Sequence, residues 1–239
     1  MRGDAARREQ EAAIIESVIT AHYQPIVSLA TGDILGYEAL ARRVRADGTT
    51  ELPGAWLTEM LSDAGQSRRL GATMLGAAAT ALRSLPEHIY VSVNLEVADL
   101  RAGNFVEARE EHGLDELAHR LVIEVAERES ITQHAIEAAA LARSLGARIA
   151  LDDIGAGSAR LSALVDLQPS YLKVDASITR RLTEPGIARL VRFLVSGAET
   201  LGASIIVEGV EDEAIAAAAR DAGASAGQGY YFGKPGPLP

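Results

Sequence analysis

The stretch RIALDDIGAG, residues 148–157, places a short apolar run directly in front of two adjacent carboxylates, Asp152 and Asp153, and a loop with two glycines. A continuous apolar run of this length is typical of a strand that is covered on both faces, as in a parallel sheet. Two negative charges at the end of such a strand need a counter-charge, because an unpaired buried carboxylate is costly. The stretch therefore indicates an α/β fold with a charged site at a strand end.

The same theme recurs along the chain: an apolar run, a polar or acidic residue, a loop and an Ala/Leu-rich stretch. We predict eight strands from these runs, at residues 23–29, 34–40, 89–95, 121–127, 148–153, 171–175, 204–209 and 227–233. Helices are predicted over 132–146, 185–202 and 211–223, because Thr132 and Pro185 favour helix starts and glycine closes each stretch.

The connections between the predicted strands determine the architecture. Strands that alternate with helices imply parallel neighbours joined by right-handed crossovers. The first two strands are joined by only four residues, 30–33, which is too short for a crossover and predicts an antiparallel hairpin. The simplest fold is therefore a TIM-like (β/α)8 barrel with one antiparallel strand.

Length and composition agree with one such barrel. The chain has 239 residues, 48% of them hydrophobic, which is enough for one large core, and no Pro-, Gly- or Ser-rich linker divides it. We therefore predict a single barrel domain over residues 21–239. The apolar residues of the preceding segment have helical spacing, so we expect an amphipathic helix over residues 1–20 that leads into the domain.

Charge and cysteine usage exclude several function classes. The net charge of -10 argues against binding to a nucleic-acid polymer, which requires a basic surface. The chain has no cysteine, so it has neither disulfides nor thiolate metal sites, and we expect a cytoplasmic location. No apolar run reaches the length of a membrane span, so we predict no direct membrane insertion.

The carboxyl ends of the predicted strands carry most of the candidate functional residues. In an α/β barrel these ends gather into the active site. The polar residues at or near them are Glu38, Asn94, Glu124, Asp152, Asp153, Lys173, Asp175, Glu208 and Gln228. Any single aspartate could be only a helix N-cap, but apolar residues flank both Glu38 and Glu124. So many converging acids repel one another unless cations lie among them.

Two kinds of cation are candidates. Lys173 is the strand-end cation, and it could pair with Asp175 or Glu208 or orient an attacking hydroxide. None of the five histidines has a metal-ligand spacing, so zinc has little support, whereas carboxylate and amide oxygens suit Mg²⁺, Mn²⁺ or Ca²⁺. The adjacent Asp152 and Asp153 could bridge and hold two metal ions, an arrangement that favours phosphoryl displacement.

Seven separated motifs, in order, resemble the EAL-domain family of cyclic di-GMP phosphodiesterases. They are EALAR (38–42), SVNLE (92–96), IEVAE (123–127), LDDIGAG (151–157), LKVD (172–175), VEGVE (207–211) and GQGYYFGKP (227–235). The resemblance covers nearly all of the chain after the predicted first helix. It implies an EAL-type barrel with one antiparallel strand, a homodimer, and a sensor domain that is absent from this chain.

The resemblance also implies a role for each matching residue. It places one metal ion on Glu38, Asn94, Glu124 and Asp152, and a second on Asp152, Asp153 and Glu208. The catalytic residues that it implies are Lys173, Glu208, Asp153 and Glu211, with Lys173 contacting the nucleophilic water. The substrate-binding residues that it implies are Gln24, Leu40, Arg42, Asp175 and Gln228. Glu127 would anchor the loop that follows Asp153.

The implied reaction is hydrolysis of one 3′-5′ phosphodiester bond of cyclic di-GMP to linear pGpG, with two Mg²⁺ or Mn²⁺ ions. The chain departs from the family pattern at Ala126, Ile154 and Ala156, where the family usually has threonine, an aromatic residue and threonine. A cyclic di-GMP receptor with weak or no turnover is therefore the main alternative. An enolase-like lyase and a pure dimerisation scaffold fit the adjacent aspartates and the many charged strand ends less well.

Overall fold

The computed structural model describes residues 18–96, 104–126, 132–155 and 161–238. Its nine strands are β1 (Val18–Ser28), β2 (Ile34–Val44), β3 (Thr50–Glu51), β4 (Tyr90–Asn94), β5 (Leu121–Ala126), β6 (Arg148–Ile154), β7 (Tyr171–Val174), β8 (Ser204–Val207) and β9 (Ala226–Gln228). Its α-helices are α1 (Ala55–Ser62), α2 (Ala64–Ser84), α3 (Asn104–Glu111), α4 (Gln133–Ser144), α5 (Leu161–Leu167), α6 (Ala176–Thr179), α7 (Pro185–Thr200) and α8 (Glu213–Asp221). A short 3₁₀ helix spans Ala118–Arg120.

Eight of the strands close into a barrel. The order around it is β1, β2, β4, β5, β6, β7, β8 and β9, and β9 pairs with β1 again. From β2 through β9 these barrel neighbours are parallel, whereas β1 runs antiparallel to both β2 and β9. The predicted TIM-like barrel with one antiparallel strand is confirmed, and the four-residue connection is a hairpin as expected.

The helix boundaries follow local capping chemistry. Thr132 precedes α4 and its hydroxyl oxygen accepts a hydrogen bond from the Ala135 amide at 3.3 Å. Pro185 is the first residue of α7, where its missing amide hydrogen is not needed. Gly146 lies just beyond α4 with a φ of 95°, a left-handed conformation that closes a helix at little cost to glycine. The helix starts at Thr132 and Pro185 and the stop at Gly146 are therefore confirmed, whereas the helix predicted from residue 211 begins at Glu213.

Two strand boundaries and one additional strand differ from the predictions. β1 begins at Val18 because it pairs with β2 as far as Val44, so the prediction of helix for residues 18–20 is wrong. The rest of that predicted helix, residues 1–17, lies outside the described residues. β9 ends at Gln228, because the amides of Phe232 and Gly233 both donate to the Gly229 carbonyl and form a turn. The short β3, which the sequence analysis did not predict, extends the edge of β2.

The core lies in two layers. The larger one packs the outer face of the strands against the helices and includes Leu75, Leu82, Ile123 and Leu151, all almost completely buried. A smaller cluster of six buried residues contains Ile26, Tyr90, Val122, Ala150, Ile206 and Ala226. Burial of each large aliphatic side chain contributes about 1.5–3 kcal/mol, so the barrel supports the strand ends rigidly. None of the described helices combines the length and apolarity needed to cross a bilayer.

Candidate metal centre and active site

A single buried lysine connects four barrel strands. The Lys173 ammonium on β7 lies 2.6 Å from Glu124 on β5 and 2.7 Å from Glu208, which follows β8. It lies 3.4 Å from Glu38 on β2 and 3.4 Å from Asp152 on β6. Lys173 is 1% exposed. Since the five residues meet across the barrel, their side chains lie in its interior near the carboxyl ends of the strands.

Amide side chains complete the surroundings of Glu38. Asn94 donates from Nδ2 to one carboxylate oxygen of Glu38 at 2.8 Å, and Gln228 donates from Nε2 to the other at 2.6 Å. Burial raises the pKa of Glu38, but Lys173 and these two hydrogen bonds lower it, and the net pKa lies below the usual value. Glu38 is therefore held as a carboxylate.

The other groups respond to the crowding of negative charge. Burial lowers the pKa of Lys173, but the surrounding carboxylates raise it well above its usual value, so the ammonium stays charged. Burial, together with the charges of Glu38 and Asp152, raises the pKa of Glu124 well above its usual value. Burial and the same two charges raise the pKa of Glu208 to about 7. The carboxylates outnumber the one ammonium among them, and the site therefore has an excess of negative charge.

A local distortion of β6 brings Asp152 and Asp153 to the same site. Successive residues of a regular strand point to opposite faces of the sheet. Here the pairing of β6 with β7 shifts register between Leu151 and Ile154, and Asp153 has a φ of 61°, which is uncommon for any residue other than glycine. The Asp153 amide donates to the Asp152 side chain at 2.9 Å. The distortion allows two adjacent carboxylates to serve one centre.

The donor atoms fit a divalent cation. Among the described residues, Asp152, Asp153 and Glu208 form the one group of at least three acidic or histidine side chains whose ligand atoms all lie within 4.8 Å of one another. Three carboxylates are a hard oxygen donor set, which suits Mg²⁺, Mn²⁺ or Ca²⁺. This group coincides with the set predicted for the second metal ion.

The set predicted for the first metal ion has a different arrangement. Glu38, Glu124 and Asp152 are each within 3.4 Å of the Lys173 ammonium, and Asn94 contacts Glu38. The structure therefore brings all four predicted residues to one place, with Lys173 among the carboxylates. With every group ionised, these residues together with Asp153 and Glu208 carry a net charge of -4, which two divalent cations would balance.

Two glutamines form the wall of the site between β1 and β9. Gln228 donates from Nε2 to the side-chain oxygen of Gln24 at 3.1 Å, in addition to its bond with Glu38. Gln24 in turn donates from Nε2 to the Gly233 carbonyl at 3.1 Å. The side-chain oxygen of Gln228 is buried and has no hydrogen-bond partner among the described residues.

Leu40 and Arg42 lie on β2, two and four residues beyond Glu38. The Arg42 side chain donates to the Ala41 carbonyl at 2.8 Å, and its buried Nε has no partner in the described part of the chain. Burial lowers the pKa of Arg42, while Tyr230 and Glu38 raise it, and the net pKa is lowered. Leu40 lines an apolar cavity that also contacts Asn94 and Glu124. Both residues therefore border the acidic centre.

Two predicted residues have described partners outside this cluster, and a third lies outside the description. Asp175 is the N-cap of α6, accepting from the Ser177 amide at 2.9 Å and also from the Ser177 hydroxyl. Glu211 pairs with Arg180 at 2.8 Å, and both side chains are more than half exposed. The described partner of Glu211 is thus Arg180, not a member of the Lys173 cluster. Glu127 lies outside the described residues.

The comparisons with known proteins agree with this geometry. A family model for the EAL domain matches residues 7–235. The probable cyclic di-GMP phosphodiesterase PdeG of Escherichia coli is 30% identical over 234 residues, which cover 93% of this chain and 46% of the relative. The probable cyclic di-GMP phosphodiesterase PdeI of the same organism is 31% identical and covers 90% and 29%. The chain thus spans less than half of the length of these curated relatives.

Solved structures are also similar. The PaMucR phosphodiesterase in complex with c-di-GMP has a TM-score of 0.80 at 26% identity. The match covers 99% of this chain and 97% of the PaMucR chain. BlrP1 of Klebsiella pneumoniae has been solved in a manganese complex with the same nucleotide, with a TM-score of 0.75 at 26% identity, covering 91% and 56%. A calcium complex of BlrP1 is similar at a TM-score of 0.76. From the family match, the barrel and the acidic centre at its strand ends, this chain belongs to the EAL domain family.

Proposed function

We propose that this chain is a metal-dependent phosphodiesterase that hydrolyses one 3′-5′ phosphodiester bond of cyclic di-GMP and releases linear pGpG. The arrangement around Lys173 carries this proposal: carboxylates from β2, β5 and β6 and the carboxylate after β8 converge on one ammonium in the barrel interior. A dimerisation scaffold would have no need for buried charges of this density. The names of PdeG and PdeI support the same substrate.

We infer two Mg²⁺ or Mn²⁺ sites. Glu38, Asn94, Glu124 and Asp152 would hold one ion, and Asp152, Asp153 and Glu208 would hold the other. When bound, two divalent cations lower the pKa of water and stabilise the charge that develops on phosphate oxygens. The net charge of the cluster supports two ions, because a single divalent cation would leave an excess of negative charge in a buried site.

The protein's own residues would bind and orient the substrate. Arg42 would donate from its guanidinium to a phosphate oxygen, a charge-assisted bond of the kind that fixes phosphate position. Gln228 has a free acceptor oxygen and Gln24 lies beside it, so this wall would hold polar groups of the nucleotide. Lys173 would keep its ammonium charged through the reaction and hold the carboxylates in place. In this way the chain would fix the scissile phosphate within reach of an attacking water.

The experiment that tests the function is incubation of purified protein with cyclic di-GMP in the presence of Mg²⁺, Mn²⁺ or EDTA, followed by chromatography for pGpG. We expect product with either metal and none with EDTA. Glu38→Gln should lower turnover by more than about 100-fold, because it removes a metal ligand. The matched control is Glu184→Gln, which makes the same change in an exposed pair with Arg181. Intact substrate under every condition would contradict the proposal.

The second candidate function is a cyclic di-GMP receptor with little turnover. The observation that favours it is Ile154 at the end of the distorted strand, where its apolar side chain is buried in the main core. The family usually has an aromatic residue at this position, and an aliphatic side chain would pack differently beneath the residues that follow Asp153. Binding of cyclic di-GMP without any formation of pGpG would favour the receptor over the enzyme.

We also propose that the protein forms a homodimer. Exposed apolar side chains on two surface helices support this: Leu190 and Phe193 on α7 are 42% and 69% exposed, and Val165 on α5 is 59% exposed. Sedimentation of wild-type protein and of Phe193→Ser would test the proposal, which a monomer in both cases would contradict. The cytoplasmic location and the sensor domain stay predictions.

A further inference from the structure

The turn after β9 crosses the edge of the site beside β1. The Tyr23 amide donates to the Gly236 carbonyl at 2.6 Å, and the Gly236 amide donates back to the Tyr23 carbonyl at 3.2 Å. Gly229 lies so close to Val210 that a Cβ atom on it would stand 2.1 Å from the Val210 carbonyl oxygen. With Gln24 bound to Gly233 as well, both ends of this turn are fixed to the barrel.

Tyr230 lies at the exposed tip of the turn, two residues beyond Gln228. Its side chain is 63% exposed, although its neighbours on both sides are held by hydrogen bonds. The Lys234 ammonium lies 5.2 Å from the centre of the Tyr230 ring, which is within cation–π distance. The charge of Tyr230 also acts on Arg42 and raises its pKa. A large aromatic ring is thus held at the site edge without being buried.

The next residue, Tyr231, is also 43% exposed, but its side chain has partners within the protein. Tyr231 donates a hydrogen bond from its hydroxyl to Glu213 on α8. Its ring packs edge to face on Phe232, with ring centres 5.0 Å apart. The side chain of Tyr231 therefore binds Glu213 and packs on Phe232. The ring of Tyr230, in contrast, contacts the Lys234 ammonium in the described part of the chain.

The positions of the charged side chains indicate how an anionic ligand would be oriented in the site. The acidic groups cluster around Lys173, and Arg42 and Lys234 are the cations near Tyr230. A dinucleotide with one phosphate at the acidic metal centre would therefore extend the rest of its negative charge toward these two cations. The base attached to that part of the ligand would pass the Tyr230 ring.

We propose that Tyr230 stacks on a purine base of the bound cyclic dinucleotide, while Lys234 holds the ring from its other face. The inference rests on the proposed function, since it assigns a base-recognition position to the same site. Stacking of a base on an aromatic side chain is favourable and needs little reorganisation when the ring is already fixed. Tyr230 and Lys234 would then favour ligands that carry a purine base over phosphodiesters that lack one.

Titration calorimetry tests the inference directly. Cyclic di-GMP is titrated into wild-type protein and variants with Ca²⁺, the ion present in one BlrP1 complex. Tyr230→Leu should weaken the Kd by about tenfold, the loss typical for one stacked base. Tyr230→Phe, which keeps the ring, should recover most of this loss. The matched control is Tyr231→Leu, which removes the neighbouring ring and should leave the Kd within about twofold.

Kinetics with Mn²⁺ provide a second readout. Tyr230→Leu should raise KM by about tenfold with little change in kcat, because a stacked base is bound equally in the ground and transition states. An unchanged Kd and KM in Tyr230→Leu would overturn the inference and leave the proposed function intact. Equal weakening by Tyr230→Leu and Tyr231→Leu would also overturn it, since it would indicate general damage to the turn. If wild-type protein does not bind cyclic di-GMP, both proposals fall.

Discussion

Replacement of Lys173 by methionine removes the one ammonium at the centre of the acidic cluster while keeping a similar side-chain volume. Glu124 and Glu208 then lose a partner at 2.6 and 2.7 Å, and Glu38 and Asp152 lose one at 3.4 Å. Removal of one member of a buried ion pair typically costs about 3–5 kcal/mol, because the remaining charge is left uncompensated. We therefore expect Lys173→Met to lower the free energy of unfolding by about this amount at pH 8 in EDTA.

The loss should depend on pH with a defined sign. The pKa of Lys173 is raised in the folded state, so its stabilisation is fully present at pH 8. Without the ammonium, the carboxyls must take up protons to remain buried. For each pH unit of acidification, the free energy needed to protonate one carboxylate falls by about 1.4 kcal/mol. The difference between Lys173→Met and wild type should therefore shrink between pH 8 and pH 6.

Urea unfolding followed by circular dichroism measures this difference. The matched control is Arg181→Met, which removes a cation from an exposed pair with Glu184 at 2.8 Å and should leave stability unchanged. Mn²⁺ should restore part of the stability of Lys173→Met, because a divalent cation replaces the missing charge. A loss below about 1 kcal/mol at pH 8, or one that does not change with pH, would refute this account of the cluster.

Two further predictions concern metal binding and packing. Because the pKa of Glu208 is raised to about 7, the apparent Kd for Mn²⁺ should rise by about tenfold from pH 8 to pH 6, and a pH-independent Kd in calorimetry would contradict this. Glu208→Gln should reduce the dependence, and Glu124, whose pKa is also raised, should account for what remains. Gly229→Ala should lower the melting temperature strongly, since its Cβ would overlap the Val210 backbone, whereas Gly186→Ala on α7 has open space and should be neutral or stabilising. Equal effects of the two alanines in thermal denaturation would contradict the packing argument.

The sequence predicted the barrel because its signals are local. Apolar runs, the four-residue hairpin and the helix starts at Thr132 and Pro185 each depend on a few adjacent residues, and the structure confirms all of them. The end of β9 was predicted wrongly because aromatic residues favour strands. The contact of Gly229 with Val210, which accompanies the turn, is a tertiary effect that a local pattern does not contain.

The site was predicted in part for the same reason. Strand-end polarity indicated which residues converge, and Lys173, Glu38 and Glu124 do so. It did not indicate that Arg180 would hold Glu211 at the surface, because that pair joins separate loops. The sequence analysis also did not select Tyr230, since the exposure of an aromatic residue depends on the path of the turn. The aromatic pair YY before the final FGKP was the available signal.

The reversed direction of β1 determines where the polypeptide enters the barrel. Val18 pairs with Val44 at the carboxyl end of β2, so the chain reaches the barrel on the edge that carries the acidic centre. If β1 ran parallel to its neighbours, the chain would enter at the opposite edge. The same hairpin pairs Gln24 with Glu38 six residues further along. A mechanical displacement of residues before Val18 would therefore reach Gln24 and Glu38 through one continuous hydrogen-bonded ladder.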